Sequence, residues 1–229
     1  MPPSQNNLPL GEPVDTTPAP WPQPVTLNGR FGRIEKLVAE KHGPALWHAV
    51  AGHDDLWTYM KTGPFSDEAA FMELQKERAT SSDPFTYVIL DHEGAPLGLS
   101  CLMNIRPDLR VIEVGNIFYA PALQRTPLGT EAQYLLMRYV FEDLGYRRYE
   151  WKTSTLNAAS RRAGQRYGFT FEGIFRQNDI VKGRNRDTAW YSIIDKEWPT
   201  RKAAFEIWLA PDNFDSEGRQ KKTLAHIEA

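Results

Sequence analysis

The clearest opportunity for chemistry is the segment from Tyr119 to Ala132, YAPALQRTPLGTEA, which joins a strand-like run to the most regular helical pattern in the chain. A helix N-terminus presents unpaired N–H groups and the positive end of the macrodipole, so this junction can seat a phosphate or pyrophosphate. Gly129 would let backbone come close to an anion, and Thr130 adds a hydroxyl. Neither a Walker lysine nor a Gly-x-Gly-x-x-Gly accompanies them, and a glycine at such a junction is equally at home as plain structure. Two further sets of polar residues flank it. Upstream, Glu113 and Asn116 lie in a strand-like run, where strict alternation puts Glu113 on one face with Gly115 and Ile117 and Asn116 on the other. Downstream, Asn157 opens a short helical run containing Ser160 and Arg162; as an N-cap it has a purely local explanation.

These residues need elements to hold them. A short strand pair is expected within Val25–Leu37, then helical pattern across Pro44–Val50. A second helix is expected to start at Ser66 as N-cap, with Asp67 and Glu68 in its first turn. Phe85–Leu90 reads as a strand, Asp91–Gly94 as a turn, and Leu97, Leu99, Cys101 and Met103 alternate as the next strand. After a turn at Pro107–Asp108 comes the strand Val111–Tyr119, which completes an antiparallel meander. Ala132, Leu135, Leu136, Tyr139 and Val140 recur at helical spacing up to Gly145 as C-cap. Tyr149–Thr153 is a strand, the short helix ends at Gly168, and Phe169–Phe175 and Thr188–Ile194 form a closing pair around Lys182–Asn185. A meander followed by strand, helix, strand, helix, strand predicts an α/β chain of the α+β hybrid kind, a mixed sheet with one βαβ crossover.

Residues 1–26 are of a different composition. Prolines at 2, 3, 9, 13, 18, 20, 22 and 24 make this an extended or mobile arm, in which Trp21 is the residue best suited to dock on the domain or a partner. Residues 27–198 form one domain, and 199–229 a helical extension whose segment Ala203–Leu209 should pack back on it. The formal net charge of −2 gives no global attraction to nucleic acid or membrane. No apolar run approaches the ~18 residues of a membrane span, and the start of the chain lacks the basic and apolar regions of a secretory signal. The lone Cys101 fits a reducing compartment, so a cytoplasmic location is expected.

At the level of particular positions the chain resembles a family. Glu113-Val-Gly-Asn, Pro121 and Gln124-x-x-x-x-Gly129-Thr130-Glu131-Ala132 are similar to the acetyl-CoA signature of GNAT acetyltransferases. Asn157-x-x-Ser160-x-Arg162, Gly168-Phe169 and Glu172-Gly173 match its second half, closest to the Rim-type branch that includes ribosomal-protein N-terminal acetyltransferases. The resemblance runs roughly from Leu27 to Trp198. It implies a twisted, mostly antiparallel mixed sheet with flanking helices, acetyl-CoA as cosubstrate, and no metal. The implied acceptor is a primary amine, either a small molecule or a polypeptide N-terminus, acetylated by direct attack in a ternary complex. Ile117 and Phe118 would meet the cosubstrate through backbone. Gln124, Arg125, Thr126, Leu128, Gly129, Thr130, Asn157, Ser160 and Arg162 would complete its site. Glu113 would be the general base, and Ser160 the proton donor to the leaving thiolate, with Asn157 beside them. Trp47, Trp57 and Tyr59, with Asn116, would lie on the acceptor side. Two positions depart from the family. Pro127 stands at the loop's central glycine, which removes one N–H from the cradle although proline suits a first helical turn. Gly164 stands where many members carry a tyrosine acid.

Other features point elsewhere only weakly. His42, His48, His53, His92 and His226 show no metal-ligand spacing with Cys101, which itself reads as a core thiol. The basic hairpin Lys182–Arg186 lacks an aromatic stacking platform for nucleic acid and reads as a solvated turn. Two alternatives stay open: a non-catalytic acyl-CoA-binding or partner-binding module of the same fold, and a homodimer that exchanges its arms.

Overall fold

The computed structural model describes residues 8–227, so the first seven residues of the proline-rich arm lie outside it. Eight strands form one sheet in the order β1-β2-β3-β4-β5-β6-β8-β7. They are β1 (Leu27–Asn28), β2 (Arg33–Lys36), β3 (Phe85–Leu90), β4 (Pro96–Arg106), β5 (Val111–Tyr119), β6 (Arg148–Ser154), β7 (Thr170–Val181) and β8 (Arg184–Ile194). Every neighbouring pair is antiparallel except β5 and β6, which are parallel as a βαβ crossover requires. The helices are α1 (Ala39–Val50), α2 (Glu68–Thr80), α3 (Pro127–Arg138), α4 (Ala158–Arg166) and α5 (Trp198–Leu209).

Two apolar clusters sandwich the sheet. On one face Leu37, Leu46, Trp57 and Phe71 from the α1–α2 region pack on Val88, Leu99 and Phe118. On the other, Leu128, Ala132, Leu135 and Leu136 of α3 and Phe205 and Trp208 of α5 pack on Ile34, Tyr87, Ile89, Leu102, Ile112 and Val114. The apolar positions of α3 recur every three to four residues, so one stripe meets the sheet. Phe205, Trp208 and Leu209 carry the C-terminal segment into this second cluster.

Several boundaries differ from the sequence expectation. The N-cap of α2 is Asp67, whose carboxylate accepts the Ala70 N–H at 2.9 Å, while Ser66 donates its hydroxyl to Asp67. A carboxylate both caps and complements the dipole, so the cap shifts by one residue. After Arg138 the helix widens into a π-turn, Tyr139–Asp143, and Gly145 (φ +66°) follows in the left-handed region. The closing hairpin is longer than expected because only Lys182 and Gly183, both with positive φ, separate its strands. In the arm, Ala19 is buried and donates its N–H to the Pro107 carbonyl at 3.1 Å. Gln23 bonds the hydroxyls of Tyr139 and Tyr87, each at 2.8 Å. Trp21 is 44% exposed, so these backbone contacts rather than the indole hold the arm.

Candidate active site

Pairing between β5 and β6 runs from Val111↔Arg148 to Val114↔Trp151 and then stops. Beyond that point the strands part, and the edge of β5 from Gly115 onward faces a gap. A bulge on β5 accompanies the parting. Cys101 of β4 opposes Gly115 and Leu99 opposes Phe118, so Asn116 and Ile117 share the place opposite Ser100. Asn116 adopts φ +49°, a conformation its short polar side chain tolerates. The extra residue reverses the alternation: Phe118, not Ile117, returns to the face of Glu113. The expectation that Glu113, Gly115 and Ile117 share one face therefore fails at Ile117.

Glu113 is buried, and its Oε2 accepts hydrogen bonds from Asn104 Nδ2 at 2.6 Å and Lys152 Nζ at 2.7 Å. Its Oε1 lies toward Gly115, where an added Cβ would stand 3.3 Å from it. Lys152 also pairs with Glu150 Oε2 at 2.8 Å and sits 3.9 Å over the Trp190 ring. Asn104, Glu150, Lys152 and Trp190 escaped the sequence reading, because their convergence depends on register between strands distant in sequence.

Across the gap, Asn157 caps α4 by accepting the Ser160 N–H at 3.0 Å. The Ser160 hydroxyl oxygen accepts the Trp151 indole N–H at 3.1 Å, which leaves its own proton available for donation. Gly164 is packed against that indole: a Cβ there would already lie 3.4 Å from Trp151 Cδ1. Trp151 thus fills the space into which a large side chain at 164 would extend. Arg162, two residues beyond Ser160, is exposed.

At the start of α3, Thr126 is the N-cap and accepts the Gly129 N–H at 3.2 Å, while its hydroxyl donates to the Leu123 carbonyl at 2.7 Å. Pro127 occupies N1. Leu128 is a core residue, and the Thr130 hydroxyl accepts from Arg166 at 2.9 Å. Gly129 is buried, and a Cβ there would stand 3.1 Å from both the Leu123 carbonyl and the Tyr119 ring, so a side chain would press on both. Among the described residues, the N–H groups of Arg125 (φ +60°) and Leu128 have no acceptor within the chain. Gln124 and Arg125 are exposed beside them, with the Gln124 amide bonded to the Tyr119 carbonyl. Two free N–H groups at a helix start fit an anionic group.

On the Glu113 face, the α1–α2 connection and the β7–β8 hairpin meet across the gap's mouth. Lys182 Nζ donates to the Trp57 carbonyl at 2.7 Å, and Lys61 pairs with Asp179 at 2.7 Å. Trp57 is buried edge-on against Phe118, Phe65 and Phe71, and Trp47 leans on Phe71; Tyr59 is exposed. A hollow of ≈ 740 Å³ lies on the hairpin itself, lined by Phe175, Arg176, Gln177, Asn178, Asn185 and Asp187. It includes none of the residues expected for chemistry, so the strand gap defines the site better than the size of that hollow. Among the described residues no three His, Cys, Asp or Glu side chains gather as a metal site. Among the described residues no helix is long and apolar enough to cross a membrane.

The model of the acetyltransferase (GNAT) domain family matches residues 33–170. A GCN5-related N-acetyltransferase from Brucella melitensis is 47% identical, with a TM-score of 0.88 over 91% of this chain and 96% of that one. YdaF of Bacillus subtilis (strain 168), named as a candidate ribosomal N-acetyltransferase, is 30% identical over 111 residues, 48% of this chain and 60% of that protein's length. YnaD of the same organism, an uncharacterized N-acetyltransferase, is 26% identical over 156 residues, 66% of this chain and 89% of its own.

Proposed function

The chain belongs to the GNAT acetyltransferase family, and on that premise we propose that it moves an acetyl group from acetyl-CoA to a primary amine by direct attack in a ternary complex. The observation that carries this reading is the gap between β5 and β6. It has the free N–H groups of α3 and the Ser160 hydroxyl at one side and the Glu113 carboxylate at the other. The cosubstrate's phosphates would be held by the Arg125 and Leu128 N–H groups with the Gln124 and Arg125 side chains, and its arm by the unpaired β5 edge at Ile117 and Phe118. Bound there, it supplies the activated acyl group.

The chain's own residues then handle protons. A free alkylamine has a pKa near ~10 and must lose a proton to attack. Glu113, at the acceptor side of the gap, takes it. Backbone N–H groups on the open edge of β5 can steady negative charge on the acyl oxygen. Ser160, its oxygen tied to Trp151, returns a proton to the departing sulfur, a role open because residue 164 is glycine. Tyr59 and Asn116 are the acceptor-side residues of this reading. Trp57 acts from behind, through Phe118, and Trp47 through Phe71. The likeness to YdaF favours a polypeptide N-terminus as the acceptor over a small amine.

Thiol release from acetyl-CoA, measured with a panel of free-N-terminus peptides and small amines, tests the reading. Acceptor-dependent CoA release with acetylated product is expected. Acetyl-CoA binding by titration calorimetry without release for any amine would instead identify a binding module, and no binding up to millimolar concentration would remove the cosubstrate itself.

A further inference from the structure

We propose that Lys152 is a positioning residue that stands between the general base Glu113 and a second carboxylate, Glu150, which the sheet register sets beside it, and shields the one from the other. This rests on Glu113 being the base. The parallel register pairs Glu113 with Glu150 directly, and adjacent strands lie only about 4.8 Å apart. Both carboxylates point to the same face, with side-chain exposures of 7% and 3%. Two buried carboxylates so close cannot both stay ionised without a counter-charge, because each raises the other's affinity for a proton.

Lys152 lies two residues after Glu150 on the same face of β6. Its ammonium is 2.7 Å from Glu113 Oε2 and 2.8 Å from Glu150 Oε2, with the Trp190 ring closing a further side at 3.9 Å. The surrounding charges make the arrangement asymmetric. Arg106 of β4 and Arg148 of β6 both reach Glu150 Oε1, at 3.0 and 2.8 Å. Burial pushes the Glu150 carboxyl up, but hydrogen bonds from Lys152 and Arg148 outweigh it and hold the group below the usual range. Arg148 is tied in turn to Glu172 of β7, which also accepts from Ser192 of β8. From β4, Asn104 (φ +48°) offers Glu113 a neutral donor, its turn held by Asp83, whose carboxylate accepts the Asn104 and Ile105 N–H groups. Among the described residues, Glu113 therefore has Lys152 as its sole ion-pair partner, whereas Glu150 has three. If Lys152 is removed, the arginines keep Glu150 charged and the repulsion falls on Glu113.

The pH dependence of kcat/KM in the full-length protein tests this. In Lys152→Met the acidic limb should move upward by about 1 to 3 pH units, the range an adjacent opposite charge commands. Lys152→Arg should return much of that displacement, and Lys152→Met with Glu150→Gln should bring the limb back toward wild type. A Lys152→Met enzyme slowed equally at every pH, with its limb unmoved, overturns the proposal, since a structural role would act that way. If Lys152→Met does not fold, Glu150→Gln alone decides. With Lys152 left wholly to Glu113 its limb should move to lower pH, and an unmoved limb again overturns the idea. Glu113→Gln separates the two levels. If it abolishes turnover while the Lys152 limb stays fixed, only this proposal falls. If it turns over like wild type, the base and the proposal fall together.

Discussion

Replacing Ser160 with alanine separates the proton donor from the binding site because so little else depends on that hydroxyl. The helix cap survives, since the Asn157 side chain bonds the Ser160 backbone N–H rather than its hydroxyl. The Trp151 indole N–H loses its 3.1 Å acceptor, which costs about 1 kcal/mol of stability. General acid catalysis is worth roughly 100- to 10,000-fold. At about 1.36 kcal/mol per tenfold, that is some 2.7 to 5.4 kcal/mol of barrier. Ser160→Ala should therefore lower kcat by about 100-fold or more while KM for acetyl-CoA changes by less than about threefold, a loss confined to the transition state. Trp151→Phe keeps the hydroxyl but frees its orientation and should slow turnover by only about fivefold, the equivalent of one hydrogen bond. Initial rates of thiol release against acetyl-CoA, with a saturating acceptor, give both parameters. Turnover in Ser160→Ala within a fewfold of wild type would refute the reasoning and leave the serine as an anchor for Trp151.

Three more outcomes test other parts of the structure. Pro127→Ala keeps helical backbone at N1 and adds one N–H to the cradle, so acetyl-CoA should bind about fivefold tighter by calorimetry, one net hydrogen bond; unchanged or weaker binding contradicts a backbone cradle at that turn. Glu131 is buried and accepts the Arg30 and Phe31 N–H groups at 2.6 and 2.7 Å, one on each oxygen. Glu131→Gln retains one acceptor and sets an NH2 against the other N–H, which should cost about 1 to 3 kcal/mol and lower Tm by about 2 to 4 °C per kcal/mol; an unchanged melt counts against the pairing. The buried His42 accepts the Val38 N–H at Nδ1, and burial first, then Lys41, lowers its pKa from 6.5. A depressed pKa means the unfolded chain binds the proton more readily, so this contribution is complete above pH 6.5 and declines as pH falls through the folded value. Denaturant titrations should show a weaker pH dependence in that window for His42→Asn, whose carbonyl can accept the same N–H; an identical dependence excludes His42 as its source.

Much of the frame is legible in the residues. The run of residues 85–89 is built of β-branched and aromatic residues because it lies between two apolar layers, and the three-to-four spacing of Leu128, Ala132, Leu135 and Leu136 marks a helix, although in the structure α3 is buried on nearly every side. Local chemistry also shows through: Asn157 is a cap because its amide side chain can reach an N–H three residues on. Even the one-residue error at Ser66 and Asp67 is a competition between two good caps side by side. Gly129 was legible as a place where backbone could come close to an anion, and the structure adds a packing constraint from Tyr119 and the Leu123 carbonyl that the sequence does not show.

The sequence by itself determined the order of elements, the strand-to-helix junction at α3, and the pair of polar signatures that bracket it, because each depends on residues near one another along the chain. Tertiary structure alone decided which carboxylate meets which ammonium. Alternation within β5 says which way Glu113 points only until the bulge at Asn116, and no period-2 pattern encodes a bulge. The meeting of Glu113 with Glu150 and Lys152 depends on the parallel register of β5 and β6, two strands joined through α3 and far apart in sequence. Such a register is a property of the packed whole, since a slip by one residue would turn Glu150 and Lys152 to the opposite face and bring Trp151 in their place.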